Sequence, residues 1–158
     1  MMASTEILID GVNLRLVASE SGILRVLLRF SGPPEGRDGR EHPLLVEAAS
    51  QLRAYMACEL REFQLPLDLR GTDFQLRVWR QVLEIPYGET RSYAQIARAM
   101  GAPGAVRAVG AANGANPISI MVPCHRVIGD SGKLVGYRGG LALKKRLLDL
   151  ERPAPLFG

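Results

Sequence analysis

At 158 residues, with 47% hydrophobic and 23% charged side chains, the chain has the size and composition of one large or two small folded soluble domains. No apolar run approaches the roughly 18 residues of a membrane span, and Met1 to Asp10 lacks the basic start and apolar core of a signal peptide, which predicts a cytoplasmic protein. The net charge of +4 divides at Arg70 into −2 over residues 1–70 (8 Lys+Arg against 10 Asp+Glu) and +6 over residues 71–158 (12 against 6), the balance of a polyanion-binding unit beside a supporting one, or of a basic surface that is only solvated.

Thr5 to Ile9, Val12 to Val17 and Ile23 to Phe30 read as three strands joined by tight turns at Asp10-Gly11 and Ser19 to Gly22, which makes a meander. Ser31 to His42, rich in Gly, Pro and charge, reads as a surface loop in which His42 has no role. Pro43 suits the first turn of a helix running to about Arg61, with Leu45, Ala48, Leu52 and Met56 on its apolar stripe and Cys58 as packing. Phe63 to Leu69 alternates as a short extended piece, and Arg70-Gly71 is the expected domain boundary.

Thr72-Asp-Phe-Gln75 and Ser92-Tyr-Ala-Gln95 are both capping boxes, opening a helix to about Glu84 and a short helix closed by Gly101. A further helix starts at Pro103 and runs to about Gly114, so the pair reads as a helix-turn-helix. The second member carries small residues, Gly104, Ala105, Ala108, Gly110, Ala111 and Ala112, around one long cation, Arg107. Close helix packing selects the same residues; a backbone that approaches a nucleic-acid groove does so too, and Arg107 with the basic balance favours the latter.

Ile118 to Val122 reads as a short buried strand ended by Pro123, which brings the chain to a turn at Cys124-His125. Val127 to Tyr137 reads as a hairpin or wing around Gly129 to Gly132. Gly139 to Glu151 is the last helix, with Lys144, Lys145 and Arg146 exposed, before a proline-broken tail from Arg152.

Cys58 and Cys124 cannot build a disulfide framework, and with only His42 and His125 no zinc-like spacing exists, so neither metal nor cofactor is expected. A thiol attacks as thiolate, and an adjacent histidine that takes its proton, directly or through water, is the standard activation. Cys124 and His125 are therefore the candidate nucleophile and base, and Glu151 the candidate third group that orients the imidazole. A cysteine peptidase requires an oxyanion hole and generally a distant base; attack on a saturated carbon requires only in-line approach, a dry pocket and help for the leaving group.

PCHRVIG, preceded by Asn116-Pro and followed by Gly136-Tyr-Arg-Gly-Gly140, closely resembles the active-site signature of the O6-alkylguanine-DNA alkyltransferases. The resemblance covers about Thr72 to Glu151 and includes, in order, the helix Phe74 to Trp79, IPYGET, SYAQIA, the Arg107 helix, NPISIMVPCHRVIG, GYRGGL and LLDLE. It implies a ribonuclease-H-like α/β domain over residues 1–70 and a mostly α, winged helix-turn-helix-like DNA-binding and catalytic domain over residues 71–158. It also implies a monomeric suicide repair protein, consumed in moving an alkyl group from O6 of guanine, or O4 of thymine, to Cys124. By the same resemblance His125 is a water-mediated base, Glu151 completes the relay, Asn116 holds the turn, and Tyr93 assists the departing guanine. The partner is double-stranded DNA entered from the minor groove, along Ala105, Ala108 and Gly110, with Arg107 replacing a flipped nucleotide. Val127, Gly136, Tyr137 and Arg138 frame the flipped base. Arg138 departs from the small residue common in the family at that position, which bears on pocket width. A binding-only damage sensor on the same scaffold is the alternative, and the presence of Cys124 argues against it.

Overall fold

The computed structural model describes residues 1–152; most of the proline-broken tail lies outside the described residues. Strands β1 (Ala3–Ile9), β2 (Val12–Ala18) and β3 (Ile23–Leu27) form the expected meander, and a two-residue strand β4 (Arg37–Asp38) adds in parallel to β1, so the sheet order is β3-β2-β1-β4. The β1–β2 hairpin pairs Ile9 with Val12 around Asp10 and Gly11 at φ 48° and 82°, the left-handed pair that suits the twist of a two-residue hairpin.

Helix α1 (Pro43–Met56) packs on β1 and β2 through Leu45, Ala48, Leu52, Tyr55 and Met56. His42 is its N-cap, with Nδ1 accepting from Leu44 N at 3.2 Å, a capping role that replaces the idle loop residue expected from composition. The helix stops at Met56 and not near Arg61, because Cys58 takes a φ of 61° and turns the chain. Cys58 is thereby exposed, where packing was expected. The alternating leucines beyond it lie along β3: Ile23 N donates to Pro66 O at 2.8 Å and Asp68 N to Ile23 O at 2.8 Å.

Helices α2 (Asp73–Leu83), α3 (Tyr93–Ala99), α4 (Val106–Gly114) and α5 (Leu141–Glu151) follow, with β5 (Arg91–Ser92) and β6 (Val127–Ile128) paired in parallel. Both capping boxes are formed, at Thr72 with Gln75 and at Ser92 with Gln95. Helix α4 begins at Val106, since residues 102–105 are spent on the turn, and Ala105 is its N-cap without a side-chain bond. Trp79, buried on α2, donates Nε1–H to Ala112 O at 2.8 Å. The small residue at 112 thus serves helix packing, whereas Gly104, Ala108 and Ala111 stay exposed. In place of the expected hairpin, residues 129–140 form turns: Gly129 N bonds Lys133 O, and β6 takes β5 as its partner.

One buried cluster runs through both halves, joining Leu16 and Val26 of the sheet, Leu52 of α1, Val78 of α2, Val109 of α4 and Leu147 of α5. The bridge between them is the segment after α4. Val26 N donates to Pro117 O at 3.0 Å and Ser119 N to Val26 O at 3.2 Å, so residues 117–119 cover the free edge of β3. The expected strand Ile118 to Val122 is instead a tight turn: Ile120 has a φ of 73° and Val122 N folds back onto Ile118 O at 3.0 Å. A β-branched residue in the left-handed region is costly; burial of Ile118, Ile120 and Val122 on the same small loop offsets it. Among the described residues no helix is long and apolar enough to cross a membrane.

Candidate active site

The turn delivers Cys124 into a single 3₁₀ turn, Cys124–Arg126, so that the cysteine, the histidine and the arginine that follow Pro123 fan out in different directions. Asn116 fixes this delivery from both ends. Its Nδ2 donates to Val122 O at 2.9 Å and its Oδ1 accepts from Ile118 N at 2.9 Å. Asn113, one helical turn earlier, donates Nδ2–H to Cys124 O at 3.3 Å.

Cys124 is 6% exposed and opens onto a cavity of about 190 Å³ lined by Tyr93, Gly110, Asn113, Gly114, Asn116, Ser119, Gly136, Tyr137 and Arg138. Burial pushes the thiol up, against the opposing pull of Asn116, Lys144 and Arg138. A thiol so placed stays protonated at neutral pH unless a base takes the proton.

That base is adjacent and fully buried. His125 Nε2 lies 2.7 Å from Glu151 Oε2, and because an ionised carboxylate only accepts, the proton sits on Nε2 and Nδ1 keeps a free lone pair. Nδ1 is itself buried without a hydrogen-bond partner. Burial lowers the imidazole pKa, outweighing the pull of Glu151 in the other direction, which keeps it neutral and able to accept. For Glu151 the balance is reversed: burial raises its pKa, but the hydrogen bonds from His125 and Arg126 prevail and hold it at about 2. Arg126 supplies a fork, Nε to Oε1 at 2.7 Å and Nη2 to Oε2 at 2.9 Å, while Nη1 is anchored on Ile85 O at 2.7 Å. Tyr55 of α1 donates its hydroxyl to the same Oε2.

A second group of contacts closes the cavity from the side of residues 129–140. Val135 O accepts from Tyr93 Oη at 2.9 Å and from Lys144 Nζ at 3.0 Å, and Lys144 also reaches Gly136 O at 3.2 Å. Lys144 is fully buried, contrary to its expected exposure on α5, because its ammonium is satisfied by these carbonyls. Replacing Lys144 by Ala removes both bonds to the loop; amide exchange over residues 129–138 is expected to accelerate by about tenfold. Unchanged exchange would mean that the loop is held elsewhere.

Of the residues singled out from sequence, Cys124, Asn116, Tyr93, Gly110, Gly136, Tyr137 and Arg138 meet around one cavity, while His125, the next residue in the same 3₁₀ turn as Cys124, lies off its lining and is bonded to Glu151. Val127 does not line it: it is buried, and its backbone is paired with Arg91. Arg107, Ala108, Ala111 and Gly114 are exposed on α4 at helical spacing, and the stripe runs to the cavity rim at Gly110 and Gly114, with Ala105 half-buried at its start. Sequence reasoning missed Asn113, Arg126, Lys144 and Tyr55. The spacing of Asn113 from Asn116, and the arginine directly after Cys124-His125, were usable signals for two of them. Nothing local distinguishes Tyr55 from any core tyrosine. Among the described residues no cluster of His, Cys, Asp and Glu could hold a metal ion.

Residues 73–153 match the family model of the 6-O-methylguanine DNA methyltransferase DNA-binding domain. The methylated-DNA–protein-cysteine methyltransferase of Mycobacterium bovis is 68% identical over 105 residues, 66% of this chain and 64% of that protein, so the aligned stretch spans just under two thirds of this relative. The crystal structure of Mycobacterium tuberculosis O6-methylguanine methyltransferase superposes over 99% of this chain and 96% of its own with a TM-score of 0.86 at 49% identity. A crystal structure of the Mycobacterium tuberculosis protein in complex with DNA matches at a TM-score of 0.83 and 50% identity, over 96% of this chain and 92% of its own. With the family model covering the segment that carries Cys124, His125 and Glu151, and the fold shared from end to end, the chain belongs to the 6-O-methylguanine DNA methyltransferase family.

Proposed function

We propose that the protein repairs DNA by moving a methyl or other alkyl group from O6 of guanine, and from O4 of thymine, irreversibly onto Cys124. The observation that carries this reading is a nearly buried thiol facing a small cavity, backed by a neutral histidine whose free Nδ1 lone pair has no other partner. The Cys124 proton passes to Nδ1, through one bridging water. The thiolate then attacks the alkyl carbon in line with O6, so that the S–C bond forms as the C–O6 bond breaks and the guanine departs with the electron pair, which a proton neutralises. Glu151, ionised at neutral pH and tied to Arg126, stabilises the imidazolium that results. Tyr93 assists the departing base. Its hydroxyl now sits on Val135 O, so that role requires it to leave this carbonyl for the substrate. The product thioether is not hydrolysed by water at neutral pH, and each molecule acts once.

A cavity of about 190 Å³ set behind the α4 stripe cannot reach a base inside a stacked duplex, so the target nucleotide must be flipped out. Helices α3 and α4 act as the helix-turn-helix, lying in the minor groove with the small stripe against the backbone and Arg107 in the vacated stack. Gly136, Tyr137 and Arg138 frame the flipped base. Arg138, exposed at the rim, narrows the entrance for bulky alkyl groups. Residues 1–70 serve as the ribonuclease-H-like supporting domain, and residues from 71 onward as the winged helix-turn-helix-like catalytic domain. Every residue of the relay comes from one chain, so a monomer suffices. The test is intact mass after incubation with a duplex containing O6-methylguanine: one added CH2 per protein is expected, whereas tight binding with unchanged mass would assign the protein to damage sensing.

A further inference from the structure

We propose that Tyr55, carried on α1 far from the catalytic segment in sequence, is a positioning residue of the His125–Glu151 relay, orienting the Glu151 carboxylate and taking up part of its charge. The proposal rests on the alkyl-transfer reading, in which His125 is the base.

Tyr55 is fully buried. Its ring is fixed by Phe63, with centroids 5.3 Å apart, and by the edge of Tyr87 at 6.3 Å. Its hydroxyl donates to Glu151 Oε2, the oxygen that accepts from His125 Nε2 at 2.7 Å and from Arg126 Nη2 at 2.9 Å. The hydroxyl oxygen also stands 3.4 Å from His125 Nε2, so one side chain of the first half touches both members of the relay. Burial and the neighbouring carboxylate raise the phenol pKa far above its usual value, and Tyr55 is therefore a permanent donor over the working pH range.

The consequence has a definite sign. A donor on Oε2 withdraws charge from the carboxylate and weakens its attraction for a proton on the imidazole. Without that donor, Glu151 would bind the imidazolium more strongly and His125 would gain its proton at higher pH. A protonated His125 cannot accept from Cys124, so transfer would fail over a wider acidic range while remaining competent where the imidazole is still neutral. A tyrosine that merely fills the core would not move this titration.

Two readouts separate the possibilities: the His125 imidazole titration followed by nitrogen NMR, which needs no transfer, and the pH dependence of alkyl transfer from a lesion duplex. In Tyr55→Phe the His125 midpoint is expected to rise by about half a pH unit or more. The transfer rate should fall about threefold or more at pH values below the measured His125 midpoint and stay close to the unmodified protein well above it. With 3-fluorotyrosine at position 55, a stronger donor of nearly the same shape, the midpoint is expected to move the other way; this arm decides the matter if Tyr55→Phe fails to fold. Midpoints that stay in place in both proteins, or a rate loss equal at all pH values, would overturn the proposal and reduce Tyr55 to packing. If the unmodified protein takes up no alkyl group, the alkyl-transfer reading fails, while the NMR midpoints still judge Tyr55.

Discussion

Cys124→Ser is expected to lose alkyl uptake by about 10⁴-fold or more while binding the lesion duplex as before. The substitution keeps the side-chain geometry and the bond from Asn113 to the backbone carbonyl at 124, so the pocket should survive. What changes is the nucleophile. A hydroxyl is a far weaker acid than a thiol, and a neutral imidazole whose pKa burial has lowered cannot generate an alkoxide. The protein also supplies an internal control, because Cys58 is exposed and Cys124 is buried. If accessibility alone governed reactivity, the alkyl group would be found on Cys58. Peptide mass mapping should find it on Cys124, and Cys58→Ser should transfer at the unmodified rate. Label on Cys58, or uptake retained in Cys124→Ser, would sink the mechanism.

How much of this was readable in the chain differs between local and long-range features. The capping boxes at Thr72 and Ser92 were legible because both partners lie within three residues, and the turn at Asp10-Gly11 because its backbone demand is local. Cys124 and His125 were legible as a pair because they are neighbours, and Glu151 only as a candidate at the end of the last helix and through the family resemblance; its contact with His125 at 2.7 Å is a matter of the fold. Ile118 to Val122 misled because its apolar, β-branched composition describes burial as well as it describes a strand; the chain buries the same side chains in a turn that lets Asn116 grip Val122. Lys144 misled for the converse reason. A lysine on a charged helix face is ordinarily solvated, and only the return of Val135 and Gly136 over that face supplies the carbonyls that bury it. Tyr55 meets Glu151 across 96 residues of sequence, and no spacing encodes such an encounter.

Glu151→Gln is expected to combine the largest stability effect with a transfer defect of about 10²-fold or more. Glu151 is the acceptor for Tyr55, His125 and two nitrogens of Arg126. An amide of the same shape offers one accepting oxygen and two N–H donors, so at least one donor is turned against another, and the buried Arg126 loses its counter-charge. Breaking a buried pair from one side costs about 3–5 kcal/mol, visible as a lowered denaturation midpoint. The pH dependence gives the charge its own signature. The Glu151 pKa falls from 4.5 in the unfolded chain to about 2 in the folded one, so its contribution is present in full above pH 4.5 and is lost as pH falls towards about 2. His125, also lowered from 6.5, adds a loss of the same sign that begins below pH 6.5. Measured between about pH 4.5 and about pH 3 in a shared His125→Phe background, which removes the imidazole's own titration, unfolding midpoints should therefore decline more steeply with Glu151 than with Glu151→Gln. Parallel curves would show that the carboxyl is not held ionised by its partners, and the relay as drawn would lose its anchor.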